Sequence, residues 1–178
     1  MYRILALAIL ALTIASCGSD KPEEVNNQEK FISFKGEEFE LSFPSEWVDA
    51  TESNRNVTFV VVAPPDDKAD AFTENVSVVI QPLPDTVTIN NFLKLTEEQM
   101  LNYFPNHTMI NKAIIKKNGK DCITLEYQIE QNNQVKRFIQ EAYIYKGKAY
   151  IVTFTAEQII FKEYQETAHR ILDSFKIL

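Results

Sequence analysis

Three two-residue turn signals divide the second half of the chain into alternating segments, and this arrangement restricts the fold more than any other feature. Lys117-Asn118-Gly119-Lys120 carries Asn-Gly, the pair that best tolerates the positive φ angles of a tight hairpin. Asn132-Asn133 and Lys146-Gly147 punctuate the segments that follow. Between the first two turns, Ile123, Leu125, Tyr127 and Ile129 alternate with Cys122, Thr124, Glu126 and Gln128, giving one apolar and one mixed face. Turns this short join antiparallel neighbours, so a continuous antiparallel meander is predicted.

Period two also marks the start of the domain. Phe31-Ile32-Ser33-Phe34 precedes a break at Gly36, and Phe39, Leu41 and Phe43 recur at every second position until Pro44. Two β-branched runs, Asn56 to Ala63 and Asn75 to Gln81, read as strands closed by Pro64-Pro65 and Pro82. Helical spacing appears twice. Residues 88–104 place Ile89, Phe92, Leu93, Met100 and Phe104 on one side, with Thr88 as N-cap and Val87 and Phe92 at hydrophobic-staple positions. Glu157 to Phe175 repeats Phe161, Tyr164, Ala168, Ile171 and Phe175 at steps of three and four, and this helix should pack on the sheet. The predicted class is α+β, an antiparallel meander flanked by helices.

Upstream of Phe31 nothing can build a core. Arg3 precedes an apolar run from Ile4 to Ile14, about half of the roughly 20 residues a spanning helix needs. Ile14-Ala15-Ser16-Cys17 follows, and this order resembles the bacterial lipobox. The resemblance implies residues 1–16 as a lipoprotein signal peptide, cleavage before Cys17, and acyl chains such as palmitate on that residue. One chain anchors marginally, whereas two or three hold a protein to a membrane essentially permanently. Residues 17–30 are then the lipidated cysteine and a polar tether reaching roughly 20 Å on average, and 31–178 form one globular domain. The expected location is the cell envelope, lipid-anchored and extracytoplasmic, with Gly18 and Ser19 leaving inner or outer membrane open.

Removing residues 1–16 takes away one base and no acid, so the exported form is slightly more acidic than the full chain at −7. Lys116, Lys117 and Lys120 are the densest basic group and read as a solvated hairpin tip, so nucleic acid is not an expected partner. With Cys17 lipidated, Cys122 has no disulfide partner and reads as a small buried residue.

The glycines Gly18, Gly36, Gly119 and Gly147 form neither a nucleophile elbow nor a phosphate loop. His107 and His169 have no second ligand at helical or strand spacing. Asp66, Asp67 and Asp70 lack the glycine and distal Glu of a calcium loop. Glu46 with Asp49, or Glu126 with Glu130, could form an acid–base pair only if tertiary structure aimed them into a pocket. No catalytic set, cofactor or metal is expected.

Phe43-Pro44-Ser45-Glu46-Trp47 after a strand resembles the opening motif of the PsbP-like and DcrB-like proteins. Lys146 to Ala156 is similar to that family's turn and penultimate strand, and Ile171 to Ile177 to its closing helix and Ser-Phe ending. The resemblance covers residues 31–178 and implies a three-layer α/β/α sandwich among proteins that assist or bind other macromolecules. It brings no catalytic set, and the acidic leader here differs from the basic docking extension of the photosystem member. Trp47 is expected to serve the fold. The expected function is a membrane-anchored, non-enzymatic accessory or protein-binding module. The alternative is a carrier or sensor of a small apolar ligand, with Tyr127, Tyr143, Tyr145, Tyr150 and Phe154 lining its pocket.

Overall fold

The computed structural model describes residues 29–54, 56–65, 72–131 and 133–178. The signal peptide, Cys17, most of the tether, Asp66 to Asp70 and Asn132 lie outside the described residues. The domain is α+β, as the periodicities predict. Its strands are β1 (Phe31–Lys35), β2 (Phe39–Pro44), β3 (Val48–Asp49), β4 (Phe59–Val62), β5 (Asn75–Pro82), β6 (Thr108–Lys117), β7 (Lys120–Gln131), β8 (Gln134–Tyr145), β9 (Lys148–Glu157) and β10 (Lys176–Ile177). Helix α1 (Ile89–Tyr103) lies between β5 and β6, and α2 (Phe161–Ser174) between β9 and β10. Among the described residues they form a three-stranded sheet, β1-β2-β10, and a seven-stranded sheet, β3-β4-β5-β9-β8-β7-β6, with every pairing antiparallel.

The meander is formed as the turns dictate. Asn118 and Gly119 take φ values of 51° and 75°, and Lys146 and Gly147 take 48° and 69°, the paired positive angles whose twist matches the flanking strands. An added Cβ at Gly119 meets nothing within 4 Å, so Gly119→Ala isolates the backbone term. It should lower stability by about 1 kcal/mol in a urea melt, and a neutral result would mean that the turn relaxes to another type.

Each face of the large sheet carries part of the core. On one, Ile123, Leu125, Tyr127, Ala142 and Ala149 pack with Phe92 and Met100 of α1. On the other, Cys122, Ile139, Tyr143, Val152 and Phe154 pack with α2 through Phe161, Ala168, Ile171 and Leu172, and with the small sheet through Phe39, Leu41 and Phe43. Each buried Val, Leu, Ile, Phe or Met among them contributes about 1.5–3 kcal/mol. The helices start differently. Thr88 accepts a 3.2 Å bond from the Asn91 amide at the head of α1, a cap typically stabilising by about 1 kcal/mol, and Val87 joins the apolar cluster that holds Phe92. No side chain caps α2, which is held instead by its buried face.

Two boundaries differ from the sequence reading. The strand placed at Asn56 begins at Phe59, because Val57 donates to the Asn54 carbonyl in a turn. The last helix begins at Phe161 and not Glu157, which stays in β9 opposite Lys136.

Candidate functional site

Helix α2 packs on β2, β9 and β8 but leaves the outer part of the sheet beside it uncovered. Strand register sets what that floor presents. Asn111 pairs with Glu126, Ala113 with Thr124 and Ile115 with Cys122, and on the next strand Thr124 pairs with Glu141 and Glu126 with Ile139. Directly opposed residues share a face, so the mixed face predicted for β7 becomes the floor of a half-open groove of about 440 Å³, walled by His169 and Asp173 of α2.

The groove's charges are organised. Glu141 is buried at 6% exposure; it accepts from Lys117 Nζ at 2.5 Å and from the Tyr143 hydroxyl at 2.7 Å. Lys117 also reaches Asp173 at 2.8 Å. Burial alone would lower the Lys117 ammonium, but its bonds to Asp173 and Glu141 outweigh that and hold its pKa above the ordinary value. Arg137 donates to Glu126 through Nη2 at 2.6 Å and Nε at 3.1 Å, and its guanidinium lies 4.4 Å from the centre of the Phe161 ring. Burial also pushes the Tyr143 hydroxyl far up, reinforced by Cys122 and by the Glu141 charge.

Lys117 corrects the sequence reading. It was expected at a solvated tip, yet its side chain is 14% exposed, whereas Lys116 is open to solvent beside Asp121. Nothing local to the hairpin marks Lys117, because its partners come from β8 and α2.

The other candidates fall apart spatially. Burial drives the Cys122 thiol up to about 11, the opposite of an activated nucleophile. A thiol reagent at pH 8 should therefore leave native Cys122 unlabelled and modify it once urea unfolds the domain; labelling of the native state at the unfolded rate would contradict this burial. His107 binds the Phe104 carbonyl at 2.8 Å beyond α1, and only His169 lies at the groove. Among the described residues no group of three or more His, Cys, Asp or Glu is arranged to hold a metal. Asp49 accepts from the Thr51 amide, Glu46 and Glu130 face solvent, and Glu126 is held by Arg137. Trp47 is buried at 5% exposure, edge-on to Tyr164 with centroids 6.2 Å apart, and so serves the fold.

The five aromatics proposed to line one apolar pocket do not converge. Tyr127 stacks on Phe138 in the cluster under α1, while Tyr143, Tyr150 and Phe154 fill the core on the α2 side with Tyr145 at its margin. Period-two geometry separates them, since Tyr127 lies on the sheet face opposite the others.

The sequence profile of the PsbP family matches residues 29–177. No curated protein matches the chain. Among solved structures, the cyanobacterial PsbP protein CyanoP from Synechocystis superposes with a TM-score of 0.65 at 17% identity, covering 93% of this chain and 99% of that one. LpqN of Mycobacterium tuberculosis, described as involved in cell envelope biogenesis, gives 0.62 at 14% identity over 85% and 87% of the two chains. The Saccharomyces cerevisiae Ran-binding protein Mog1p gives 0.57 at 10% identity over 84% and 96%. At such identities the likeness to each structure is one of fold, and the profile match across nearly the whole described domain shows that the chain belongs to the PsbP family.

Proposed function

We propose that this protein is a lipid-anchored accessory module of the bacterial cell envelope, held at Cys17 and engaging another envelope protein along the groove between α2 and β6–β7–β8. The observation that carries the reading is the groove itself, whose floor holds mutually bonded charges, the buried Glu141 and the partly buried Lys117, Glu126 and Arg137, beside the open Asn111 and Ile115. Such a surface offers fixed polar contacts at little ordering cost, which favours specific protein recognition. The role proposed is binding, without catalysis, cofactor or metal. The fold is read here as the family's three-layer α/β/α sandwich, with α1 on one side of the large sheet and α2 with the small sheet on the other.

Support comes also from the neighbours, one tied by its description to cell envelope biogenesis and one to Ran binding. No helix among the described residues is long and apolar enough to cross a membrane. A small apolar ligand is less well served, because the apolar faces are packed against helices and the small sheet.

A photo-crosslinking residue at His169 of the full, membrane-recovered chain tests the reading. It should give one discrete protein adduct that is absent when the label sits at Glu37 and lost in Cys17→Ser. The same adducts from both positions, or none from His169, would overturn it.

A further inference from the structure

We propose that the end of the domain from which the N-terminal segment departs is a membrane-contacting surface, seated in the interfacial layer of the bilayer. The inference rests on the Cys17 anchor proposed above and adds an orientation to it.

One line of register defines that end. Val48, Val62, Asn75, Thr155, Phe138, Tyr127 and Met109 lie side by side across all seven strands of the large sheet. Beyond this line are the last turn of α1 with its connection to β6, the β7–β8 turn, and the connection from β9 to α2. The turns at Asn118-Gly119 and Lys146-Gly147 lie at the opposite end.

The two ends differ in what they expose. Ile159, between β9 and α2, and Tyr103, closing α1, are the most exposed large apolar side chains among the described residues, at 85% and 77%. Leu101, Phe104 and Val48 are exposed at the same end. Single exposed apolar residues need no explanation, but several gathered at one end do. The opposite end shows Asn118 and Lys146 exposed and Lys120 and Lys148 partly exposed at its turns, with Leu178 as an exposed apolar residue and with Ile114 and Ile115, at 36% and 42%, on β6 short of the turn.

The chain leaves the domain toward the apolar end. Lys30 accepts a 2.7 Å bond from the Ser45 amide, and the Phe31 ring lies 3.8 Å from the Arg170 guanidinium. One step further back, Glu29 accepts from the Thr167 hydroxyl at 2.8 Å. Traced backward, the segment thus climbs α2 from Arg170 to Thr167, toward the first turn at Phe161 and the neighbouring Ile159. The eleven residues between Glu29 and Cys17 reach at most about 43 Å and roughly 20 Å on average as a flexible coil, so the anchor keeps this end close to the lipid it would enter.

A few side chains alone would bind a bilayer weakly, but a tether converts that contact into an intramolecular one at high effective concentration. Tyr103 suits the headgroup level, where an aromatic ring with one polar tip is favoured. Side chains of both signs, Glu46, Glu130 and Lys162, face solvent around this end, so the contact requires no anionic lipid. With this end on the membrane, the groove floored by Lys117 and Glu141 stays open at the side to a partner on the same surface.

The test uses the lipidated full chain in phosphatidylcholine vesicles, with an environment-sensitive fluorophore on Ile159→Cys, Tyr103→Cys or Glu37→Cys. Cys122 is buried and an acylated Cys17 sulfur is blocked, so the new thiol takes the label. Lipids carrying a nitroxide high on the acyl chain should quench the labels at 159 and 103 and leave the one at 37 bright. Vesicles that float with the protein while no label is quenched, or while all three are quenched alike, would overturn the orientation and leave the anchor standing. Protein that does not float with vesicles would overturn the anchor and this inference together.

Discussion

Truncating Phe161 to alanine is expected to destabilise the domain by about 3–5 kcal/mol, a loss of roughly 6–20 °C in Tm for a domain of this size. Phe161 is fully buried at the start of α2, its ring 5.9 Å from that of Phe154 in the sheet and 4.4 Å from the Arg137 guanidinium. Because α2 has no side-chain cap, this ring does the work of fixing the first turn. Its removal leaves a cavity under the helix and frees Arg137 beside Glu126, so the wall of the groove loosens together with the core. Thermal and urea melts read the loss. A deficit below about 1 kcal/mol would mean that the helix is fixed by something other than its packing.

Replacing Lys117 with alanine should cost a similar amount, about 3–5 kcal/mol, because it leaves the Glu141 carboxylate buried without its cation. The pH dependence gives the mechanism. In the intact protein Lys117 has a raised pKa, so its contribution is complete below the ordinary lysine value and is lost as pH rises through the folded one. Urea melts of both proteins at pH 7 measure the loss, and a deficit below about 1 kcal/mol would show that the lysine charge contributes little to holding Glu141 in place. The double variant Lys117→Met, Glu141→Met should recover most of the stability, since apolar replacement of a buried pair is often close to neutral.

The difference between the fold and the groove explains what the sequence could reveal. Turn chemistry and period two are local, so Asn118-Gly119 and the alternation through Ile123 to Ile129 were enough to place the meander, and Thr88 to place the start of α1. Composition locates strand ends less well. Asn56 and Val57 look like strand residues but are drawn into a turn by the Asn54 carbonyl, and the buried positions Ala156 and Phe161 lie on either side of a strand-to-helix change that neither period marks. Family motifs pointed to the PsbP-like α+β fold, and Trp47 and Phe175 within them are buried. The groove had no such signal. Lys117 meets Glu141 from 24 positions along the chain and Asp173 from farther still, and nothing in the run Lys116-Lys117 distinguishes the exposed lysine from the buried one. Only the register of three strands and the position of a helix bring those charges together.

The anchor at Cys17 is measured directly by the intact mass of the protein recovered from membranes, beside Cys17→Ser expressed in the same way. The expected result is a chain cleaved before Cys17 and carrying acyl chains, with both changes lost in the variant. An unmodified chain that still begins at Met1, or one cleaved elsewhere without lipid, would contradict it.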